Sequence, residues 1–332
     1  MLRKPYEHGG KTRMKTKKII ALILAVLCAV LCFTACGTPK EEKSDGKIKV
    51  VTTIFPPYDY TRQIGKDNVD VSMLLKPGME SHNFDPTPQD IIKIQEADLF
   101  IYVGGESDAW VKDILESGDK KPQKSLAIMD VVEKVAEERV EGMTAEKEER
   151  EEDSDEIEYD EHVWTSPKNA EIIANSIMKA LCEIDHKNKD DYTKAGNDYS
   201  LQLKELDKAY KEVVDNAKLH TIIFADRFPF RYLADEFGLS YFAAFPGCSA
   251  ETEPSVATVS FLIDKVKEMK IPVVFTIEFS NGKIADTICE ATGAKRLEMH
   301  SCHNLSSEMF ESGETYISLM KKNLNNLKEA LS

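Results

Sequence analysis

The chain has 332 residues and a formal net charge of −15 at pH 7, from 58 acidic and 43 basic side chains. An acidic surface repels a nucleic-acid backbone, so the charge argues against a nucleic-acid-binding protein and is compatible with cations as ligands. Hydrophobic residues make up 42% of the composition, and a chain of this length can bury the cores of two domains.

Residues 1–35 are predicted to be a signal peptide. Three lysines between positions 15 and 18 precede an apolar run over 19–33, which is short for a membrane span and typical of a signal-peptide core. An uncleaved anchor helix is the alternative. The signal would also be intact if translation began at Met14 instead of Met1.

The apolar run ends in Phe-Thr-Ala-Cys-Gly, which resembles the lipobox of bacterial lipoproteins. This resemblance predicts that Cys36 is lipidated and becomes the first residue of the mature chain. Residues 36–46, rich in Lys, Glu and Ser, are then a flexible tether. We expect the residues after the tether to be held by these acyl chains on the extracellular or periplasmic face of the cell membrane.

Residues 47–186 are predicted to form an N-terminal αβ lobe. Ser or Thr followed by Pro is typical of a helix start, and this pair occurs at Thr87-Pro88 and at Ser166-Pro167. The predicted elements are strands at 48–53, 69–75 and 99–103 and helices from 88 to 96 and from 167 to 181.

An acidic segment over 133–161 interrupts this pattern. It contains Glu-rich runs with almost no apolar content, and a block of like charge cannot bury a core, so a mobile loop is predicted. The sequence leaves open whether the loop is only a solvated insertion or also attracts cations.

Residues 187–217 are predicted to form one long amphipathic helix, because apolar side chains recur at steps of three and four. Residues 218–332 are predicted to form a C-terminal αβ lobe. Its predicted elements are strands at 221–224, 240–244, 272–277 and 294–298 and helices at 231–237, 255–269, 282–292 and 313–330.

The alternation of strands and helices predicts an α/β protein whose two αβ lobes contain parallel sheets covered by helices. The long helix between them is interpreted as a connector packed along both lobes. Ligands of such sheets bind beyond the carboxyl ends of the strands, and loops from the two lobes can therefore converge on one cleft.

Three histidines lie in segments typical of turns: His82 in Glu-Ser-His-Asn-Phe-Asp-Pro, His162 in Glu-His-Val-Trp-Thr-Ser-Pro and His300 in Glu-Met-His-Ser-Cys-His. A single such histidine is more often a surface residue than a ligand, but three of the seven in the chain favour a metal site. Neutral imidazole suits Zn²⁺, and Mn²⁺ is the alternative. We therefore predict these three histidines as metal ligands.

Two other classes of site are not expected. An exported metallohydrolase would need an open metal position and a general base, and the chain has neither a His-Glu-x-x-His pattern nor a serine elbow. The four cysteines after Cys36 form no Cys-x-x-Cys pair, which argues against a zinc ribbon. Cys248 and Cys302 fall on predicted loops, and the sequence leaves a disulfide between them open.

Several segments together resemble the solute-binding proteins of zinc and manganese ABC transporters, over nearly all of 47–332. They are Val-Thr-Thr-Ile-Phe-Pro-Pro-Tyr at 51–58, the segment around His82, Ala-Asp-Leu-Phe-Ile-Tyr at 97–102, His-Val-Trp at 162–164, Glu-Pro-Ser at 253–255 and the last helix. The resemblance implies two αβ lobes joined by a rigid helix, with one metal ion bound in the cleft between them.

By this resemblance, His82 and His162 match two ligands from the first lobe, and His300 stands where the family has a carboxylate. Arg227 stands where the family usually has histidine or glutamate. A protonated guanidinium has no lone pair for a metal ion, so the fourth ligand is left open.

Four further residues are expected near the ion. Asp226 and Glu253 are candidates for the ligand lost at Arg227, with the guanidinium orienting the carboxylate; water is the alternative. Glu278 follows a buried strand and could accept an imidazole N–H. His303 is an additional candidate ligand.

The expected function is a monomeric lipoprotein that binds zinc outside the membrane and delivers it to the permease of an ABC transporter, without enzymatic activity. The alternatives are a manganese-binding homologue, and an adhesin or interaction module whose metal site has degraded.

Overall fold

The computed structural model describes residues 46–79, 84–117, 120–144, 157–249 and 253–332. The predicted signal peptide, the lipidation site Cys36, nearly all of the tether and the predicted ligand His82 lie outside the described residues. Lys47–Ser332 forms one compact unit. Among the helices that the structure describes, none is both long and apolar enough to cross a membrane.

The first half of this unit is built on a sheet of four parallel strands in the order β2-β1-β3-β4. The strands are β1 (Ile48–Thr52), β2 (Val69–Met73), β3 (Leu99–Tyr102) and β4 (Lys124–Ala127), and the helices are α1 (Phe55–Gly65), α2 (Pro88–Gln95), α3 (Ala109–Ser117) and α4 (Pro167–Ile184). The sequence predicts where α2 and α4 begin. The hydroxyls of Thr87 and Ser166 accept backbone N–H groups in the first turn of these helices.

Three elements of this half were not predicted from the sequence: α1, α3 and β4. Helix α1 begins with Phe55, Pro56 and Pro57. Two adjacent prolines usually interrupt regular structure, but here they occupy the first turn, where proline loses no helical hydrogen bond. The predicted strand before α1 therefore ends at Thr52.

The connecting helix α5 (Lys189–Asp215) has 27 residues and buries an apolar stripe that includes Tyr199, Leu203, Leu206 and Tyr210. It packs along α1 and α4 of the first half and along the last helix of the chain, α10 (Tyr316–Ala330). The helix therefore contacts both halves.

The second half repeats the architecture of the first, with four parallel strands in the order β6-β5-β7-β8. The strands are β5 (Thr221–Phe228), β6 (Ser240–Pro246), β7 (Val273–Thr276) and β8 (Lys295–Glu298), and the helices before α10 are α6 (Arg231–Phe237), α7 (Val256–Met269), α8 (Lys283–Thr292) and the unpredicted α9 (Ser307–Glu311).

The two sheets share one hydrophobic core. A single cluster of buried side chains joins the inner faces of both sheets to α5, whereas the outer face of each sheet has a smaller core of its own. Trp164, Tyr210 and Tyr316 are among its largest fully buried members. Because this core is continuous, the loops that leave the two sheets are held at a fixed distance from one another.

The described ends of the acidic segment differ from the mobile loop predicted over 133–161. Glu137 donates its backbone N–H to the Glu158 carbonyl at 3.0 Å, and Thr144 donates to the Ala244 carbonyl at 3.0 Å. Val135, Val140 and Met143 pack against the central core. These scattered apolar residues, which the acidic composition obscures, anchor the first end of the segment. The backbone hydrogen bond between Glu137 and Glu158 attaches the second end to the first; residues 145–156 lie outside the described part.

Candidate metal centre

A cleft of about 380 Å³ lies between the loops that follow the strands of the two sheets. The first half contributes Met79 and His162, and the second half contributes Arg227, Pro229, Gly247, Ile277, Glu278, Phe279, Ser301, His303 and Asn304. This is the position that the alternation of strands and helices predicts for a ligand site.

His162 lies directly before a short 3-10 turn, Val163–Thr165, and its side chain is 2% exposed. The Asp160 carboxylate accepts the backbone N–H of His162 at 2.8 Å and contacts the ring Nδ1 at 3.2 Å. An ionised carboxylate only accepts hydrogen bonds, so Nδ1 carries the proton and Nε2 of the neutral ring keeps its lone pair. Metal-ligating histidines are commonly oriented by a carboxylate in this way.

Burial and neighbouring charges act in opposite directions on His162. Burial lowers the pKa of the imidazole, but the carboxylates of Asp160, Glu161 and Glu137 outweigh it, and the pKa is raised above its ordinary value. The negative charge that favours the imidazolium also favours a metal cation in the same place.

Gly247 allows the turn after β6 to approach this histidine closely. A Cβ atom at position 247 would lie 2.9 Å from the Phe228 carbonyl oxygen, 3.0 Å from a carboxylate oxygen of Asp160 and 3.3 Å from Cε1 of His162. The backbone of the second half can therefore reach the imidazole of the first half only without a side chain at this position.

His303 lies on the loop after β8 and faces His162. The ring centroids of the two histidines are 5.6 Å apart and the rings are nearly perpendicular; the centroid of the Trp164 ring is 5.0 Å from that of His303. The backbone of Cys302 has a φ of 62°, so the chain turns sharply before His303. Zinc–nitrogen bonds are about 2.0–2.1 Å long, and two neighbouring imidazoles in this arrangement are suited to a shared ion.

His300, which the sequence predicts as a ligand, does not line the cleft. Its ring is buried, and its Nδ1 accepts the backbone N–H of Cys302 at 3.0 Å. A neutral ring then carries its proton on Nε2, which is buried without a hydrogen-bond partner among the described residues. In this arrangement neither nitrogen of His300 offers a lone pair to an ion.

Glu278 lines the cleft and fixes the loop after β8. Its carboxylate accepts the backbone N–H of Ser301 at 2.7 Å and also accepts the Ser301 hydroxyl. The sequence predicts an imidazole N–H as its donor. Oε2 of Glu278 does lie 3.8 Å from Nδ1 of His300, but that nitrogen accepts from Cys302, so Ser301 is the donor that the structure provides.

Trp164 joins the His162 turn to the His303 loop. Its indole N–H donates to the Ser301 carbonyl at 2.8 Å, and its own carbonyl accepts the Tyr316 hydroxyl at 2.6 Å. Both hydrogen bonds are buried, where an unmade bond would cost about 1–3 kcal/mol. The two facing histidines are therefore held by a buried side chain between them.

Asn304 attaches the same loop to the segment that leads toward His82. Its amide donates to the carbonyls of Lys76 at 2.7 Å and Met79 at 2.8 Å. Met79 lines the cleft, and His82 follows three residues later in the sequence. The position of His82 itself is outside the described residues.

Arg227 is brought to the cleft by an irregularity in β5, whose register with β6 shifts between Phe224 and Arg227. Such bulges re-aim side chains next to functional sites. One guanidinium nitrogen donates to the Ser249 carbonyl at 3.4 Å, and the backbone N–H of Arg227 donates to the Asp226 carboxylate at 2.9 Å.

The two carboxylates considered as replacement ligands lie elsewhere. Asp226 lines a neighbouring cavity rather than the cleft, and Glu253 is exposed. Within the described residues, no group of three or more His, Cys, Asp or Glu side chains has an arrangement that could hold a metal ion. The described part of the site therefore offers two imidazoles, from His162 and His303, and a guanidinium.

The disulfide that the sequence left open between Cys248 and Cys302 is absent, and both thiols are free. Cys302 is fully buried, and its thiol contacts the His300 carbonyl. Burial raises its pKa well above the usual range for a thiol. This cysteine therefore packs the turn between the two histidines.

Sequence reasoning gave His303 less weight than His300. The signal that favours His303 is the turn at Cys302, which directs His303 and not His300 into the cleft. No local propensity predicts a positive φ at cysteine, so this signal is visible only in the structure.

Comparisons with known proteins bear on the family and the fold of the chain. A family model described as ZnuA, the periplasmic component A of a zinc-uptake complex, matches residues 50–330. The zinc-binding lipoprotein AdcA of Streptococcus pneumoniae is 34% identical over 290 residues, which cover 87% of this chain and 57% of AdcA. The chain thus spans little more than half the length of that relative.

Two further similarities cover most of the matched protein or domain. The high-affinity zinc uptake system protein ZnuA of Bacillus subtilis is 34% identical over 296 residues, 88% of this chain and 89% of the relative. The crystal structure of the Zn(II)-bound ZnuA-like domain of Streptococcus pneumoniae AdcA matches with a TM-score of 0.70 and 30% identity, covering 86% of this chain and 99% of that domain. The predicted α/β fold with two sheets of parallel strands is confirmed.

Proposed function

The chain belongs to the zinc-uptake complex component A family, and we propose that it captures a zinc ion outside the cytoplasm and delivers it to the permease of an ABC transporter. The observation that carries the proposal is the pair of facing imidazoles in the cleft, one of which has its Nδ1 held by a carboxylate. That arrangement leaves a lone pair on His162 directed away from its carboxylate partner, as a metal ligand requires.

The ligands proposed for the ion are His162 and His303, with His82 as the third. His300, expected from the sequence, is instead proposed to support the loop, because its Nδ1 accepts a backbone N–H. Zinc is favoured over manganese because imidazole suits zinc, whereas manganese prefers oxygen ligands. Capture and release need affinity and no bond breaking, so we propose a binding protein and not an enzyme.

The cellular setting is part of the same proposal. Lipidation at Cys36 would hold a monomer at the outer face of the membrane, beside the permease. The name of the relative AdcA describes a lipoprotein, which supports this anchoring. ATP hydrolysis would be supplied by another subunit of the transporter.

The zinc assignment is tested by titrating the metal-free purified chain against a chromophoric zinc chelator. We expect one zinc ion per chain and weaker binding of manganese. His162→Ala should lower the zinc affinity at least about 100-fold, or about 2.7 kcal/mol. His186→Ala, at an exposed turn where the ring nitrogen Nδ1 contacts the Cys182 carbonyl at 3.1 Å, is the matched control and should bind as the parent does. Equal zinc affinity in parent and His162→Ala would refute the assignment.

The anchoring is tested separately by Cys36→Ala. Because acylation requires the cysteine thiol, the variant should incorporate no labelled fatty acid and should leave the membrane fraction or stall as the unprocessed precursor. Cys182→Ala, a change on a helix of the folded body, is the control that should remain membrane-bound. Membrane-bound, lipid-labelled Cys36→Ala would contradict the prediction.

A further inference from the structure

We propose that Glu137, a residue of the acidic segment, is a positioning residue for zinc: its carboxylate holds the Gly247–Cys248 turn of the second half beside His162. The inference rests on the proposed zinc function and adds a role for the start of the acidic segment. The sequence left open whether that segment is a solvated insertion or attracts cations, and its described contacts support a third role, which is to bring the two halves together at a metal ligand.

The first argument is a short antiparallel ribbon, in which residues 135–137 pair with residues 158–160, and which leads directly into His162. The backbone hydrogen bonds at its first and last pairs are both 3.0 Å long. The buried Tyr232 hydroxyl of α6 accepts a backbone N–H from one side of the ribbon at 3.1 Å and donates to a carbonyl of the other side at 2.9 Å. The backbone of Glu137 is therefore fixed relative to His162 and to the second half.

The second argument is the contact that the Glu137 side chain makes. Its Oε1 accepts the backbone N–H of Cys248, in the turn after β6, at 3.3 Å. The thiol of the same cysteine lies among acidic groups: burial, followed by the carboxylates of Asp160, Glu161 and Glu137, raises its pKa well above the usual range. The turn therefore rests against the carboxylates that surround His162.

The third argument is the close fit of this turn to the imidazole. A Cβ atom at position 247 would lie 3.3 Å from Cε1 of His162 and 3.0 Å from a carboxylate oxygen of Asp160. Cys248 is partly buried, and a donor in such a place is unfavourable without an acceptor. If the acceptor at position 137 were lost, the turn would move to satisfy its N–H group, and the backbone that packs on the His162 ring would move with it.

The next residue provides a contrast. Glu138 carries the same charge in the same segment, but its side chain is 52% exposed and contacts Nε of Arg231 at 3.5 Å. It also accepts the Tyr241 hydroxyl at 3.4 Å. These partners lie at the starts of α6 and β6 and not on the turn after β6. A change at Glu138 therefore removes a charge from the segment and leaves the Cys248 contact in place.

The experiment measures the zinc affinity of variants by competition with a chromophoric chelator. Glu137→Gln and Glu137→Met have similar size and both remove the charge, but only glutamine keeps an oxygen that can accept the Cys248 N–H. Glu137→Met should lower the zinc affinity about tenfold, at the lower end of the range for lost outer partners, whereas Glu137→Gln and Glu138→Met should stay within about threefold of the parent. Glu137→Ala, which also lacks the acceptor, should behave like Glu137→Met.

Gly247→Ala tests the route from Glu137 to the ion. The added Cβ should displace the same turn from the side of His162 and lower the zinc affinity with Glu137 intact. Because both substitutions would move one turn, Glu137→Met with Gly247→Ala should lose less than the product of the two single losses. Visible absorption of the cobalt(II)-loaded chain, which reports ligand geometry, should shift in Glu137→Met and not in Glu137→Gln. Circular dichroism and urea unfolding of the metal-free variants check that they fold.

The inference is overturned if Glu137→Met and Glu137→Ala bind zinc like the parent, or if the losses at positions 137 and 247 multiply in full. It is also overturned if Glu137→Gln or Glu138→Met loses as much as Glu137→Met, because the charge alone would then account for the effect. A parent chain that binds no zinc would refute the proposed function, whereas any of these results in a chain that binds zinc refutes this inference alone.

Discussion

The two sheets have the same strand order, yet the two halves of the protein contribute different groups to the cleft. The first half contributes His162, an imidazole backed by a buried carboxylate. The second half contributes His303 on a sharp turn, and Arg227 on a bulge. The repeated fold therefore determines where the site lies, whereas irregular backbone in single loops and strands determines its chemistry.

The largest expected effect tests the second half. If the turn at Cys302 directs His303 into the cleft and His300 out of it, His303→Ala should lower the zinc affinity at least about 100-fold, and His300→Ala should change it less than about tenfold. The measurement is competition with a zinc chelator, with circular dichroism to confirm folding. The reverse order of the two variants would show that the loop presents His300 to the ion.

A smaller effect tests the first half. Asp160→Asn keeps an oxygen near Nδ1 of His162 but removes the negative charge, and loss of such outer partners weakens metal binding by about 10–100-fold. We expect a loss near the lower end of that range. Asp198→Asn, which makes the same substitution at an exposed position of α5, is the control. Unchanged zinc affinity in Asp160→Asn would show that the carboxylate does not assist His162.

The last effect is on stability and not on zinc affinity, and it concerns the place where helices of both halves meet. Burial, together with the Asp207 carboxylate of α5, raises the pKa of Glu236 from 4.5 to about 7, although Ser166 at the start of α4 partly opposes the shift. The folded chain thus keeps a proton that the unfolded chain releases above pH 4.5. The contribution of this group to the free energy of unfolding of the protein therefore falls as the pH rises from 4.5 to 7. Glu236→Gln removes the titration and still supplies an amide donor to Asp207.

Glu236→Gln should therefore have the same free energy of unfolding as the parent near pH 4.5 and a value about 2 kcal/mol higher at pH 8. A shift of one pKa unit corresponds to about 1.4 kcal/mol, and the total is reduced here because the carboxyl is partly exposed. Urea unfolding at several pH values measures the difference. Glu205→Gln, at an exposed position of α5, should show no such trend. A difference between Glu236→Gln and the parent that does not vary with pH would contradict the assignment.

Much of the fold follows from local signals in the sequence. The helix at Arg231–Phe237 was predicted with the same bounds, and Thr87 and Ser166 cap helices as expected. Such elements are predictable because the cap and the periodicity lie within a few residues of one another. Helix α1 was missed because Pro56 and Pro57 interrupt most helices, and only the tertiary fold shows that they occupy the first turn.

The site was less predictable because its determinants are not local. The sequence identified His162 and the unusual Arg227, but a positive φ at Cys302 decides which histidine of the next loop reaches the cleft. Likewise, the sequence could not show that Asp226 faces a cavity beside the cleft. Side-chain direction in a loop depends on packing between the halves, which periodicity does not encode.

The continuous core between the sheets also has a consequence for folding. The inner faces of both sheets and α5 bury one set of side chains, so neither half can complete its own core in isolation. The compact unit Lys47–Ser332 should therefore melt in a single cooperative transition, with equal calorimetric and van't Hoff enthalpies. A chain cut within α5 would leave two fragments with exposed apolar surface, each dependent on the other to fold.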